Sequence, residues 1–126
     1  MPERIVLSRA RGFRLPPNTM VVSRPKPLSN PFRVYEHCKG KNGDWGVENL
    51  GRLHEPMGHG WTRAGAHQFA VDRYRELVDE VYPAGGTARW VLALTIVEHD
   101  FIACWCPLDL PCHTDVLKEI GEEALR

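Results

Sequence analysis

The sequence predicts a compact three-layer α/β domain with a small, partly parallel sheet and an edge β-hairpin. Two observations carry this prediction. Phe101–Trp105 is an unbroken apolar run, as expected of a central strand covered on both faces. Strand-like and helix-like segments follow one another in the order β, β, hairpin, α, α, β, α. A chain of 126 residues is long enough to form one domain with a hydrophobic core but too short to form two. We therefore treat residues 1–126 as one domain.

The first half of the chain predicts strands. Arg4–Leu7 and Met20–Ser23 are short apolar runs with β-branched residues, and they predict the first two strands. A hairpin over residues 33–49 follows, because Asn42-Gly43 separates two further strand-like runs and Asn-Gly favours a tight turn. Residues 50–61 contain three glycines and a proline, so we expect a flexible loop there.

The second half predicts three helices around the central strand. Thr62 is a suitable N-cap for a helix that continues to about Tyr82, before Pro83. Thr87–Val97 predicts a second helix. From Cys112 onward apolar residues recur at helical spacing, with lysine and glutamates on the opposite face, which predicts a third helix.

Positive charge is concentrated near the amino terminus. The formal net charge of the whole chain is zero, yet residues 1–35 carry seven basic residues against the single acid Glu3, which is +6. This distribution predicts a local phosphate-facing surface, and a solvated arginine-rich loop is the alternative.

Cysteine use and hydropathy predict a cytoplasmic protein. Three of the four cysteines lie close together in an otherwise ordinary soluble composition, which favours a reducing compartment over a disulfide scaffold. No apolar run approaches the roughly 18 residues of a membrane span, and no apolar stretch follows Met1 as in a signal peptide.

Two polar loops are predicted to share one cleft. The carboxyl ends of neighbouring parallel strands meet at one edge of an α/β sheet, where ligands bind. We expect Arg24 to clamp a phosphate, Asn30 to hydrogen-bond a base or ribose, and Phe32 or Trp105 to stack on a ring. Asp109 or Asp115 would serve as a general base or stabilise a cationic sugar-like transition state. The predicted ligand-binding residues are Arg9, Ser23, Arg24, Asn30, Phe32, Trp105, Cys106 and Cys112.

A zinc site is the alternative use of the same cysteines. Cys104, Cys106, Cys112 and His113 supply four donors of the types that zinc prefers. Their spacing differs from the usual C-x2–4-C knuckle, and the adjacent Cys112 and His113 are expected to diverge, so we predict no cofactor. A looser set is favoured as ordinary surface residues, namely His37, Cys38, His54 and His59.

Cys112 has a further candidate role as a nucleophile. It opens the third predicted helix, and a helix N-terminus lowers the pKa of a thiol. His113 next to it would assist as a base. The alternative, which we favour, is a small buried apolar side chain.

The motifs at both cleft segments resemble a known family. Ser23-Arg24-Pro25, Asn30-Pro31-Phe32 and the run C-W-C-P-L-D-x-P-C-H-x-D-V at 104–116 resemble a domain-of-unknown-function family common in tailed bacteriophages and actinobacteria. The closing C…C-H run also looks like the end of a larger uncharacterised α/β family. This second resemblance implies a Rossmann-like fold and nucleotide or nucleic-acid chemistry.

Two functions follow as hypotheses. The first is a phage-type cytoplasmic protein that binds a nucleotide or nucleic acid at the carboxyl edge of the sheet. If it is an enzyme, we expect cleavage or transfer at an N-glycosidic bond, with acid–base work by His113 or Asp115. The alternative is a non-enzymatic phage accessory protein that binds a host protein and uses the Cys/His cluster as a folding nucleus or zinc site.

Overall fold

The computed structural model describes residues 1–24, 26–38 and 43–126, and within them the chain folds as a mixed α/β structure with two small sheets. The strands are β1 (Glu3–Val6), β2 (Thr19–Val21), β3 (Phe32–Glu36), β4 (Trp45–Asn49), β5 (Glu55–Trp61) and β6 (Phe101–Cys104). The helices are α1 (Arg63–Val81), α2 (Thr87–Val97) and α3 (Thr114–Glu123). The predicted α/β class with a parallel sheet is confirmed.

The first sheet is parallel and has the order β1-β6-β2. Its central strand β6 is the apolar run that the sequence singled out, and Ile102, Ala103 and Cys104 are all buried. The pairing continues past β2, where the Val22 N–H donates to the Ala103 carbonyl at 2.9 Å. Because β2 and β6 are parallel neighbours, the segments that follow them leave the sheet at the same edge.

The second sheet is antiparallel, with the order β3-β4-β5. The predicted hairpin supplies β3 and β4, but it pairs with β5 in this separate sheet instead of extending the parallel one. Asn42, on which the turn prediction rested, lies outside the described residues, whereas Gly43 has the left-handed φ of 77° that such a turn uses.

The expectation of a loop over residues 50–61 is wrong. Leu50–Arg52 forms a 3-10 turn and β5 occupies Glu55–Trp61. The prediction rested on glycines, which here lie in an irregular strand. Gly58 has a φ of 135°. The pairing of β4 with β5 shifts register around Val47. Glycine in a strand often marks a bulge or a close approach of two backbones.

The helices cover the sheets and share one apolar core. Thr62 caps α1 as predicted, since its hydroxyl accepts from the Gly65 N–H at 3.1 Å. The inner face of α1 joins residues of both sheets and of α3 in a single buried cluster, which includes Val47, Tyr74 and Leu117. No helix in the described part of the chain is long and apolar enough to cross a membrane.

The close contact of α2 with α3 predicts that Gly121→Ala destabilises the fold. A β-carbon at position 121 would lie 2.8 Å from Cγ2 of Ile96, a stiff β-branched side chain that is fully buried. Overpacking of this kind costs about 1–3 kcal/mol. That cost exceeds the gain of about 1 kcal/mol in helix propensity. Urea unfolding measures the difference.

Glu122→Ala is the matched control, because Glu122 is on the same helix and exposed. We expect it to change the free energy of unfolding by less than about 0.5 kcal/mol. A Gly121→Ala protein as stable as the parent would show that α2 and α3 do not pack this closely.

Candidate functional site

A cavity of about 410 Å³ opens at the carboxyl ends of β2 and β6. The segment after β2 forms one wall and the segment after β6 forms the other. The predicted ligand-binding residues all line it, namely Arg9, Ser23, Arg24, Asn30, Phe32, Trp105, Cys106 and Cys112. Two stretches about eighty residues apart in sequence therefore meet at one hollow, as the parallel pairing of their strands requires.

Arg24 is an exposed cation at this cavity that forms no ion pair with the carboxylates of the described residues. Its Nη1 donates to the Asn30 carbonyl at 2.8 Å. Partial burial lowers the pKa of Arg24, and the positive charge of Arg33 lowers it further. Arg33 itself pairs with Glu48 at 2.6 Å, whereas no carboxylate of the described residues comes within ion-pair distance of Arg24.

Aromatic residues contribute to both walls in different ways. Trp105 lies just beyond the end of β6 with its side chain about half exposed, and the Arg9 guanidinium lies 5.0 Å from its ring centroid. This is a cation–π contact at the mouth of the cavity. Phe32 is only 7% exposed, so it packs in the wall and offers a ligand little free ring surface.

Asn30 positions the loop that carries Arg24. Its amide nitrogen donates to the Ala70 carbonyl of α1 at 3.3 Å, and its Oδ1 accepts from the Phe32 N–H at 2.9 Å. The Tyr74 hydroxyl also ties this loop to α1, by donating to the Leu28 carbonyl at 2.7 Å. Asn30 was expected to bond a base or ribose; in the structure its amide bonds the backbone of α1 and of Phe32.

Three thiols meet at the floor of the cavity. The sulfurs of Cys104, Cys106 and Cys112 all lie within 4.8 Å of one another, and Cys104 Sγ is 3.0 Å from Cys112 Sγ. Hydrogen bonds from the Cys104 and Cys106 thiols lower the pKa of Cys112. Hydrogen bonds with Cys104 and Cys112 raise the pKa of Cys106. The cluster thus favours negative charge on Cys112.

His113 is buried beside this cluster, with both ring nitrogens engaged. Nε2 lies 2.8 Å from the Val22 carbonyl, and Nδ1 lies 3.6 Å from Cys112 Sγ. A carbonyl can only accept, so Nε2 carries a proton. With its ring held this way and 5% exposed, His113 is poorly placed for acid–base work on a ligand.

The expectation that Cys112 and His113 diverge is wrong. His113 already has helical backbone angles at the start of α3, and both side chains turn inward from there toward the end of the parallel sheet. Their donor atoms converge at the 3.6 Å given above. Adjacent residues at a helix entry can thus share one buried cluster.

The two predicted catalytic aspartates lie outside the cavity lining. Asp115 is exposed in the first turn of α3, where its carboxylate accepts from the Cys112 N–H at 3.4 Å. This contact complements the positive end of the helix. Asp109 is exposed in the loop between Pro107 and Pro111. No described residue that lines the cavity carries a carboxylate, so the predicted role of Asp109 or Asp115 as a general base or as a stabiliser of a cationic transition state has no geometric basis here.

Sequence reasoning missed the roles of Arg4 and His67. Arg4 was counted as surface charge, but its guanidinium donates to the carbonyls of Cys106, Pro107 and Leu110 and fixes the loop after β6. His67 lines the cavity from α1, where burial, followed by the nearby Arg63 charge, lowers its pKa. The signal for His67 was its spacing, since it lies one helical turn before the buried Ala70.

The looser histidine–cysteine set assembles in part on the surface. His37 and His59 stack with ring centroids 3.8 Å apart, and His59 Nδ1 lies 3.2 Å from Asp44. Donor atoms of His37, Cys38 and Asp44 lie within 4.8 Å of one another. His54 lies apart from this group and faces Glu48 at 3.4 Å.

The role of Asn30 predicts that Asn30→Asp destabilises the protein. Aspartate keeps an acceptor for the Phe32 N–H but loses the donor to Ala70, and it places a carboxylate oxygen against that carbonyl. The Ala70 carbonyl keeps its partner within α1, so the loss is that of one hydrogen bond, about 0.5–1.5 kcal/mol, together with the repulsion between the carboxylate and the carbonyl. Chemical unfolding at neutral pH measures this loss.

Asn49→Asp is the matched control, because Asn49 Oδ1 accepts from the Gly51 N–H and aspartate keeps that bond. We expect it to leave stability nearly unchanged. Equal stability of the two variants would mean that the Asn30 amide does not hold the loop.

Comparison with known proteins bears on identity but not on reaction. No curated protein matches the chain, and no solved structure matches it either. A family model covers residues 5–123, which include both walls of the cavity, and its description is "Domain of unknown function (DUF4326)". The chain therefore belongs to the DUF4326 family.

Proposed function

We propose that the cavity binds a phosphate-bearing ligand, either a nucleotide or a nucleic-acid strand. The observation that carries the proposal is Arg24, a cation held at the cavity by Asn30 and left without a carboxylate partner among the described residues. Arg24 is exposed to solvent and so is accessible to a ligand, and an anion bound beside it would offset the repulsion from Arg33. Arginine is suited to this role because its planar fork matches the oxygens of a phosphate.

The size and chemistry of the cavity support the same proposal. Its volume of about 410 Å³ falls in the usual range for small-molecule sites, about 300–1,000 Å³. It also lies where open α/β sheets bind ligands, beyond the carboxyl ends of parallel strands. Trp105 at the mouth offers a partly exposed indole for stacking with a base.

The proposal is one of binding and does not include an N-glycosidic reaction. That reaction would use Asp109 or Asp115 as acid or base, and neither lines the cavity. His113 has both nitrogens engaged. The arginines of the cavity, Arg9, Arg24 and Arg33, can bind and orient an anion, but they do not serve as proton donors or acceptors.

We propose that this function operates in the cytoplasm. If the chain is phage-encoded, as the resemblance implies, this is the cytoplasm of the infected host cell. Three close thiols persist in a reduced state there. Binding to a host protein stays the alternative, and the surface available to it is the apolar outer face of α2, with Trp90, Val91 and Leu94 exposed.

The test is a binding titration with pyrophosphate and with adenosine and thymidine phosphates, read by thermal shift and calorimetry. We expect the wild-type protein to be stabilised by these ligands. We expect Arg24→Ala to weaken binding about 10- to 100-fold, because a hydrogen bond to a charged group contributes about 1.5–3 kcal/mol.

Arg14→Ala is the matched control, since it removes one positive charge from the same basic segment at a position that does not line the cavity. We expect it to bind nearly as the wild type does. Equal losses in the two variants would indicate nonspecific charge attraction, and no binding by the wild type would refute the proposal.

A further inference from the structure

The sulfur cluster at the floor of the cavity has the chemistry of a metal site. Cys104 is the last residue of β6, and Cys106 lies two residues further along the chain. Cys112 and His113 directly precede α3. All four line the same cavity. We propose that Cys104, Cys106, Cys112 and the Nδ1 atom of His113 bind one zinc ion.

The distances are close to those of a tetrahedral zinc site. Bonds of about 2.3 Å to sulfur and about 2.0–2.1 Å to nitrogen place two sulfurs about 3.8 Å apart, and a sulfur and a nitrogen about 3.6 Å apart. The three sulfurs lie within 4.8 Å of one another, and Cys112 Sγ is 3.6 Å from His113 Nδ1. His113 Nδ1 is not within 4.8 Å of all three sulfurs, so zinc binding would draw it toward Cys104 and Cys106. It would also lengthen the 3.0 Å contact between Cys104 and Cys112 to about 3.8 Å.

The far nitrogen of His113 supports a ligand role. A histidine that binds a metal through one nitrogen usually donates its other N–H to a carboxylate, a backbone carbonyl or water, which fixes the ring. Here Nε2 donates to the Val22 carbonyl at 2.8 Å, so Nδ1 has its lone pair directed toward the Cys112 side. The ring also packs edge-on against Tyr74, with centroids 5.1 Å apart.

The backbone that carries the cysteines is held in place before any metal arrives. Arg4 anchors the carbonyls of Cys106, Pro107 and Leu110. Cys104 is fixed by the pairing of β6 with β1, where its carbonyl accepts from the Leu7 N–H at 2.8 Å. A site whose ligands are already positioned loses less conformational entropy on binding.

Zinc here would link the end of the central strand to the start of α3. Because three thiolates outweigh the two positive charges of zinc, the complete site would carry net negative charge at the floor of the cavity. The proposal of a metal site and the proposal of a phosphate site rest on different observations, so one can be refuted while the other holds. Metal content measured in the absence of phosphate ligands keeps the two separate.

The first experiment measures zinc in protein purified without chelators, by elemental analysis. We expect one zinc per chain in the wild type and the loss of that zinc in Cys112→Ser. Cys38→Ser, which changes a cysteine outside this cluster, should keep one zinc per chain. A wild-type protein with far less than one zinc per chain, or a Cys112→Ser protein that retains it, would overturn the proposal.

The second experiment needs no variant and therefore does not depend on how Cys112→Ser folds. Cobalt(II) added to metal-free wild-type protein reports its ligands by absorption, since thiolate ligands give charge-transfer bands and tetrahedral geometry gives intense visible bands. We expect both signals to saturate at one cobalt per chain and to disappear when zinc is added. Octahedral-type spectra without thiolate bands would contradict the site.

Discussion

The structure of the cavity depends on Val22 and the hydrogen bonds of its peptide groups. Its N–H continues the pairing of β2 with β6 by donating to Ala103, and its carbonyl accepts from His113 at the start of α3. One buried residue therefore joins the end of an edge strand to the central strand and to the following helix. Together with the pairing of β2 and β6, these contacts fix the start of one polar segment relative to the other.

Two further sets of contacts keep the hollow open by holding its walls apart. Asn30 and Tyr74 attach the loop after β2 to α1, and Arg4 attaches the loop after β6 to β1. Each wall is thus fixed to a different part of the fold and cannot collapse onto the other without losing partly buried hydrogen bonds. The two loops and the adjoining end of β6 carry Arg24 and the three clustered cysteines, and their fixed backbones determine that these side chains line the cavity.

The sequence was sufficient for the parallel sheet and for the meeting of its loops. The apolar run at Phe101–Cys104 has no solvent-facing pattern, so it had to be central, and two short β-branched runs were available as its neighbours. Parallel pairing then fixed which loops converge. The Thr62 cap and the bounds of α2 also follow from local signals, because capping and helical spacing depend on nearby residues alone.

Most of the errors concern features that depend on contacts distant in sequence, and the error about Asp115 concerns a local contact. Gly58 was taken as a loop residue because glycine is common in turns, but its positive φ serves an irregular strand paired with β4. Nothing local to Arg4 shows that its guanidinium reaches the loop after β6, about one hundred residues away. Asp115 looked catalytic in a run rich in functional groups, yet its contact is with the backbone at its own helix start.

The central claim is that the segments after β2 and β6 form one binding site. Backbone amide NMR during a pyrophosphate titration tests it most directly. The account predicts that amides near Ser23 and Arg24 and amides near Trp105 and Cys106 shift together and saturate at the same ligand concentration. Shifts confined to one of these segments, or centred on the outer face of α2, would contradict it.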